Sequence, residues 1–251
     1  MTETYVWRDA RLQPCDAAEA PPGPVQVADS WRQVQGRVRR LGLHRARFIG
    51  SVAQVAPERS ADAGAFFDAA AQAVPVEDEW FPRVRLVGGE LIADVRPGPP
   101  RRAEVVVRVL ACGDPRSMPL VKGPDLALAG DLIAAARDVG SDEVLIRDAR
   151  GRVLEAGYAA LVWWDGEDLC VPARSLPVLP SITRRIVEEQ VVALGGRVRP
   201  VEARVEDLDG REAWLLNAYQ GLRVVTGWRD APIQAGSASR AASWREWLES
   251  R

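Results

Sequence analysis

The sequence predicts a mixed α+β protein built in two units. Three observations carry this prediction. Short runs alternate apolar and polar residues between tight turn signals, two longer segments show helical spacing closed by glycine, and ACGDPRSMP interrupts the pattern near mid-chain. With 251 residues and 47% hydrophobic composition, the chain can fill sizeable cores. The strands come mostly in hairpins, which argues against a doubly wound parallel sheet.

Taken in order, PCDAAEAPPGP (residues 14–24) reads as a surface connection before the first organised unit. VQVADSWRQVQGRVRRL predicts strand, turn at Gln35-Gly36 and strand, and LHRARFIGSVAQVA predicts a helix. In FPRVRLVGGELIADVRP, Gly88-Gly89 separates two β-rich runs as in a hairpin, and AEVVVRVLA supplies another strand. The composition of 111–119 then sets a boundary: a smaller N-terminal domain over 1–113, a linker over 114–119 and a second domain over 120–251. Beyond it, PDLALAGDLIAAARDVG reads as an amphipathic helix closed by Gly140, and EVLIRDARGRVLEAG as a strand pair. ALVWWDGEDLCVPA adds a hairpin around Asp165-Gly166, and SITRRIVEEQVVALGG a helix capped by Ser181 and stopped at Gly195-Gly196. Strands near RVRPVEARV, EAWLLNA and LRVVTGW and a short amphipathic helix in SASRAASWREWLESR complete the chain.

A formal net charge of −2, with 35 acidic residues interspersed among the basic ones, leaves no electrostatic footprint for nucleic acid. The N-terminal residues lack the apolar core of a signal peptide, and no apolar run approaches membrane-spanning length. A cytoplasmic protein with neither a nucleic-acid nor a membrane partner is expected. Cys15, Cys112 and Cys170 are far apart and lack paired metal-ligand spacing, so they read as reduced, isolated thiols. With His44 the only histidine, no metal site is expected.

One residue stands out chemically. Among 33 basic residues, Lys122 in SMPLVKGPDLAL is the only lysine. A guanidinium stays charged at physiological pH, whereas a desolvated amine can lose its proton and attack a carbonyl. Arginine can replace lysine in surface ion pairs but not in forming a Schiff base. On composition alone, a chance surface position is the simpler account of Lys122.

The neighbouring motifs bear on that choice. RDARGRVLEAGYAALVWWDGEDLCVPA, with Lys122 upstream and SLPVLPSITRR downstream, resembles in order and type the fold-type IV pyridoxal-phosphate enzymes, the aminotransferase class IV family. The resemblance is best over residues 119–228, with a weaker echo over 27–48. It implies a smaller N-terminal α/β domain and a larger barrel-like C-terminal domain, with pyridoxal 5′-phosphate as cofactor. Lys122 matches the family's Schiff-base lysine, and Glu155 in GRVLEAG matches the carboxylate that pairs with the pyridine nitrogen. That carboxylate keeps the nitrogen protonated, so the ring can accept an electron pair. SIT matches the segment in which a helix N-terminus offers backbone N–H groups to the cofactor phosphate, here from Ile182 and Thr183, with the Thr183 hydroxyl as a further donor. LHRARF matches an H-x-x-R pattern whose arginine, here Arg47, reaches the phosphate with its planar fork. His44 takes a structural part in this scheme.

LLNAYQGLRVV matches the strand and loop closing the cofactor pocket, and its Asn217-Ala218 pair resembles the aminodeoxychorismate lyase branch. The chain departs from common family residues at Ala127, Ala160 and Ser181, where tyrosine, asparagine and glycine are frequent. This leaves the ring-hydroxyl contact unassigned, with Tyr158 and Tyr219 as candidates. Arg83, Arg85 and Arg223 read as solvent-facing strand arginines rather than substrate ligands. The resemblance thus implies a lyase converting 4-amino-4-deoxychorismate to 4-aminobenzoate and pyruvate, with Lys122 holding the cofactor and moving the proton. The alternatives are a class IV aminotransferase acting on a branched-chain or D-amino acid, and a family member that has lost catalysis and acts as a binding protein. A small-molecule amine substrate and a homodimer are implied as partners.

Overall fold

The computed structural model describes residues 2–16 and 21–251, so residues 17–20 of the expected connection lie outside the described residues. The chain divides into two compact units. The first comprises Met1–Pro100 and Val121–Pro124, and the second Arg101–Leu120 and Asp125–Arg251.

In the first unit, β1 (Glu3–Arg8) and β2 (Arg11–Cys15) form a hairpin, followed by β3 (Val25–Ser30), β4 (Gln33–Val34) and β5 (Arg37–Val38). Helices α1 (Leu41–Val55) and α2 (Ser60–Gln72) come next, then β6 (Glu79–Trp80), β7 (Arg83–Val87) and β8 (Glu90–Val95). A five-stranded antiparallel sheet runs β2-β1-β8-β7-β3. The β7–β8 hairpin turns on Gly88 and Gly89, both at positive φ (57° and 81°), as the sequence anticipates. The β1–β2 hairpin turns on Asp9 and Ala10, also at positive φ, and alanine is a poor signal for such a turn, which is why sequence reading passes over it. Helix α2 is likewise missed, although Ala63, Phe66, Phe67 and Ala70 share one face and are all buried. Phe66 and Phe67 pack with Phe48, Trp31 and Trp7 to form the aromatic core of this unit.

The second unit contains β9 (Glu104–Val109), α3 (Leu126–Arg137), β10 (Glu143–Arg147), β11 (Val153–Ala156), β12 (Ala160–Asp165) and β13 (Asp168–Pro172). Then come α4 (Ile182–Ala193), β14 (Arg197–Val201), β15 (Ala213–Asn217), β16 (Gly221–Arg229) and α5 (Ala241–Glu249). One eight-stranded sheet, in the order β11-β10-β9-β16-β15-β12-β13-β14, curls as a half-barrel around Val107, Leu145, Leu161, Trp163, Leu215 and Trp228. The expected hairpins β10–β11 and β12–β13 are present. The sheet also contains parallel pairs that the hairpin pattern did not suggest: β9 with β10, β13 with β14 and β9 with β16. The first two are joined by crossovers through α3 and α4, since parallel neighbours cannot be linked by a tight turn.

Helix α5 is fastened by one acid. Glu212 is buried and accepts hydrogen bonds from Trp214 Nε1, Ser239 Oγ and the amides of Arg240 and Ala241, which lie at the start of α5. Beside it, Trp164, Trp214, Trp244 and Trp247 form a run of ring contacts with centroids 5.5–5.9 Å apart. Replacing Glu212 by alanine strands several buried donors. Glu212→Ala is expected to lose at least about 2 kcal/mol of unfolding free energy in denaturant titration.

Candidate functional site

Lys122 packs with the first unit. Its carbonyl accepts a 2.6 Å hydrogen bond from the Ala28 amide on β3, the strand at one end of the five-stranded sheet. The next residue of β3, Asp29, is fully buried and carries the cluster that sequence reading reached only through its partners. Arg47 donates from Nε to Asp29 Oδ2 at 2.7 Å and from Nη2 to Oδ1 at 2.9 Å, and His44 Nδ1 lies 2.7 Å from Oδ1. Both residues come from α1, three positions apart and therefore on one face. Burial alone would raise the Asp29 pKa, but Arg47 and His44 outweigh it and hold this carboxyl well below the usual carboxylate range. His44 thus takes the structural part expected of it, and the Arg47 fork is fixed by a carboxylate that no motif had marked.

Within the second unit, Glu155 lies one residue before the end of β11 and is buried. Its Oε1 accepts from Arg116 Nη1 and, at 3.0 Å, from the Leu179 amide. Arg116 is itself held by Asp114 through Nε and Nη2 at 2.8 Å each and by the Pro177 carbonyl at 2.8 Å. Burial pushes the Glu155 carboxyl up, with Arg116 pulling the other way. Arg116 lies in the stretch that sequence reading treated as a linker, and only the fold brings it to the acid.

Helix α4 begins as expected. Ser181 is its N-cap, with the side chain accepting from the Arg184 amide at 3.2 Å. Its φ of −74° is ordinary, so the serine in place of the family's glycine brings no backbone strain. The cap leaves the first-turn amides of Ile182 and Thr183 without intrahelical acceptors, and both residues are buried.

Asn217 braces two turns. Its Oδ1 accepts from the Gln220 amide at 2.7 Å and its Nδ2 donates to the Tyr158 carbonyl at 3.3 Å, so its side chain ties the β15–β16 turn, which carries Ala218, to the 156–159 turn. The Tyr158 hydroxyl donates to the Leu126 carbonyl at 2.8 Å, while Tyr219 is buried. The three strand arginines do not face solvent as expected. Arg83 and Arg85 both bond the buried carboxylate of Asp94, and Arg223 bonds the buried Glu143 at 3.2 Å. The sequence offered no sign of these partners, because each acid lies on a different strand.

This fold is shared by fold-type IV enzymes. The chain superposes on a hypothetical aminotransferase from Mycobacterium tuberculosis in its PLP-bound form with a TM-score of 0.78 at 18% identity, covering 100% of this chain and 98% of that one. A branched-chain aminotransferase from Thermoproteus uzoniensis gives 0.78 at 18% identity over 98% and 94% of the two chains. A Legionella pneumophila protein provisionally assigned as a 4-amino-4-deoxychorismate lyase gives 0.76 at 17% identity over 91% of each. At such identities these likenesses establish the fold alone, and among curated proteins none matches the sequence. The family is settled by sequence: the amino-transferase class IV model matches residues 26–228, and the protein belongs to that family. Its members are pyridoxal-phosphate-dependent enzymes.

The Asp29 cluster makes a prediction of its own. Because the folded-state pKa of Asp29 is lowered, its contribution to stability is complete above the unfolded value of about 3.9 and is lost as pH falls through the folded value. Asp29→Asn should cost about 3–5 kcal/mol at neutral pH, as expected for breaking a buried ion pair. Below about pH 4 its unfolding free energy should fall less steeply with pH than that of the unsubstituted protein, as measured by urea titration across pH.

Proposed function

We propose that the protein binds pyridoxal 5′-phosphate through Lys122 and acts as a lyase similar to aminodeoxychorismate lyase, releasing pyruvate from 4-amino-4-deoxychorismate to leave 4-aminobenzoate. The observation that carries this reading is the placement of the only lysine beside β3, where the next residue along fixes Arg47.

The donor set suits the cofactor. Each unit brings donors of the kind a phosphate monoester needs: the Arg47 fork in the first, and in the second the backbone N–H groups of Ile182 and Thr183, which have no intrahelical acceptor, with the Thr183 hydroxyl. Glu155 engages Arg116 and Leu179 through Oε1, leaving Oε2 to meet a protonated ring nitrogen. When bound, pyridoxal phosphate supplies an aldehyde that condenses with amines and a ring that accepts an electron pair.

The chain's own residues do the rest. Lys122 Nζ would hold the cofactor, and the same amine would move the proton at the substrate's amine-bearing carbon. Glu155 would present Oε2 to the ring nitrogen, where a carboxylate favours the protonated ring. Arg116 holds Glu155 in one orientation, while Asn217 ties down the turn carrying Ala218. The Asn217-Ala218 pair favours the lyase over the aminotransferase reading, and Ala127 and Ala160 leave the ring hydroxyl to other partners.

Borohydride reduction after incubation with pyridoxal phosphate should leave a phosphopyridoxyl group on the Lys122 peptide, seen by mass spectrometry, and none in Lys122→Ala. The loaded protein should release pyruvate and 4-aminobenzoate from a single substrate. A ping-pong reaction that needs an amino acceptor and forms no pyruvate would identify an aminotransferase instead. A colourless protein that yields no adduct would identify a binding protein.

A further inference from the structure

Gly123, directly after Lys122, lies at φ +147°, a conformation that L side chains rarely adopt. A Cβ built there would stand 2.7 Å from Val27 Cα and 2.9 Å from Val27 C and N. These are backbone atoms of β3, whose register with β7 pairs Val27 with Leu86 and Ala28 with Arg85. They cannot move aside as a flexible side-chain end could. Three consecutive residues of β3 therefore set three neighbouring positions. Val27 lies against Gly123, the Ala28 amide bonds the Lys122 carbonyl, and Asp29 holds Arg47 by two hydrogen bonds.

We infer that Gly123 is a positioning residue: by allowing the chain to lie directly on β3, it fixes the root of the Lys122 side chain in register with the Arg47 guanidinium. The inference rests on the reading of Lys122 as the cofactor lysine and adds a condition to it. A ligand whose aldehyde meets Lys122 while its phosphate meets Arg47 has a fixed span between the two, so the two anchors must keep a fixed separation. A side chain at 123 must lift the backbone off β3 and shift Lys122 while leaving Arg47 on Asp29. A shift of an ångström in a reacting group is enough to cost orders of magnitude in rate. An aldehyde without a phosphate is free of this constraint, because it can follow the lysine.

The test compares uptake of pyridoxal 5′-phosphate with uptake of pyridoxal, which lacks the phosphate, by the full chain and by Gly123→Ala. Absorbance titration measures affinity, and borohydride trapping shows that the adduct is on Lys122. Gly123→Ala should weaken pyridoxal phosphate binding by about tenfold or more and pyridoxal binding by less than about threefold, so the preference for the phosphorylated aldehyde narrows. A change that only loosened the fold would weaken both alike. An unchanged preference overturns the role of Gly123 while leaving that of Lys122 standing. An unsubstituted protein that traps no adduct overturns both, and the two failures are told apart by that control. Should Gly123→Ala not fold, hydrogen exchange of the Ala28 amide in the unsubstituted chain decides. Protection like that of paired strand amides supports the anchor, and exchange at the rate of an unstructured peptide overturns it.

Discussion

The ion pair between Asp29 and Arg47 is the interaction on which the joint of helix and sheet in the first unit depends. A carboxylate with no exposure to water is costly unless its charge is matched and its lone pairs are filled, and here Arg47, His44 and the Ser30 amide do both. Because Asp29 sits on β3 and its partners on α1, the pair also pins helix to sheet where the strand receives the Lys122 segment. Breaking it would remove the two hydrogen bonds by which Asp29 orients a largely buried guanidinium.

The second unit uses the same device repeatedly. Glu155 is matched by Arg116, Glu143 by Arg223, and Glu212 by backbone and side-chain donors at the start of α5. In each case a buried acid gathers segments that are distant in sequence. A chain with arginine at nearly every basic position suits this design, because the planar fork can bond a carboxylate with one edge and a backbone carbonyl with another, as Arg116 does with Asp114 and Pro177. Lysine, a compact point charge, offers no such geometry.

Much of the architecture was legible in the sequence because the signals were local. Paired glycines marked the β7–β8 turn, Ser181 marked the start of α4, and alternation marked most strands. The parallel pairs β9–β10 and β13–β14 were not legible, since strand alternation is silent on direction, and the Asp9-Ala10 turn lacks the residues that announce a hairpin. For the site, the sequence could nominate residues whose chemistry is unusual in kind, such as Lys122, or that stand in a recognisable order, such as Glu155 and Ile182-Thr183. It could not nominate Asp29, Arg116 or Asp94, because an acid or arginine becomes informative only once burial removes water as an alternative partner. The strand arginines were misjudged for the same reason: alternation placed them on a face, and that face holds a carboxylate rather than solvent.

The indole run along α5 gives the molecule an optical property that its chemistry does not require. Trp244 and Trp247 ride on the helix, while Trp164 and Trp214 belong to strands of the sheet beneath it. At separations of 5.5–5.9 Å the excited states of such rings couple, so this corner of the second unit contributes a coupled signal to the protein's circular dichroism. Lifting the C-terminal helix from the sheet would uncouple the helix pair from the strand pair at once. The chain therefore carries an intrinsic gauge of whether its last helix is docked, readable in solution without any added label.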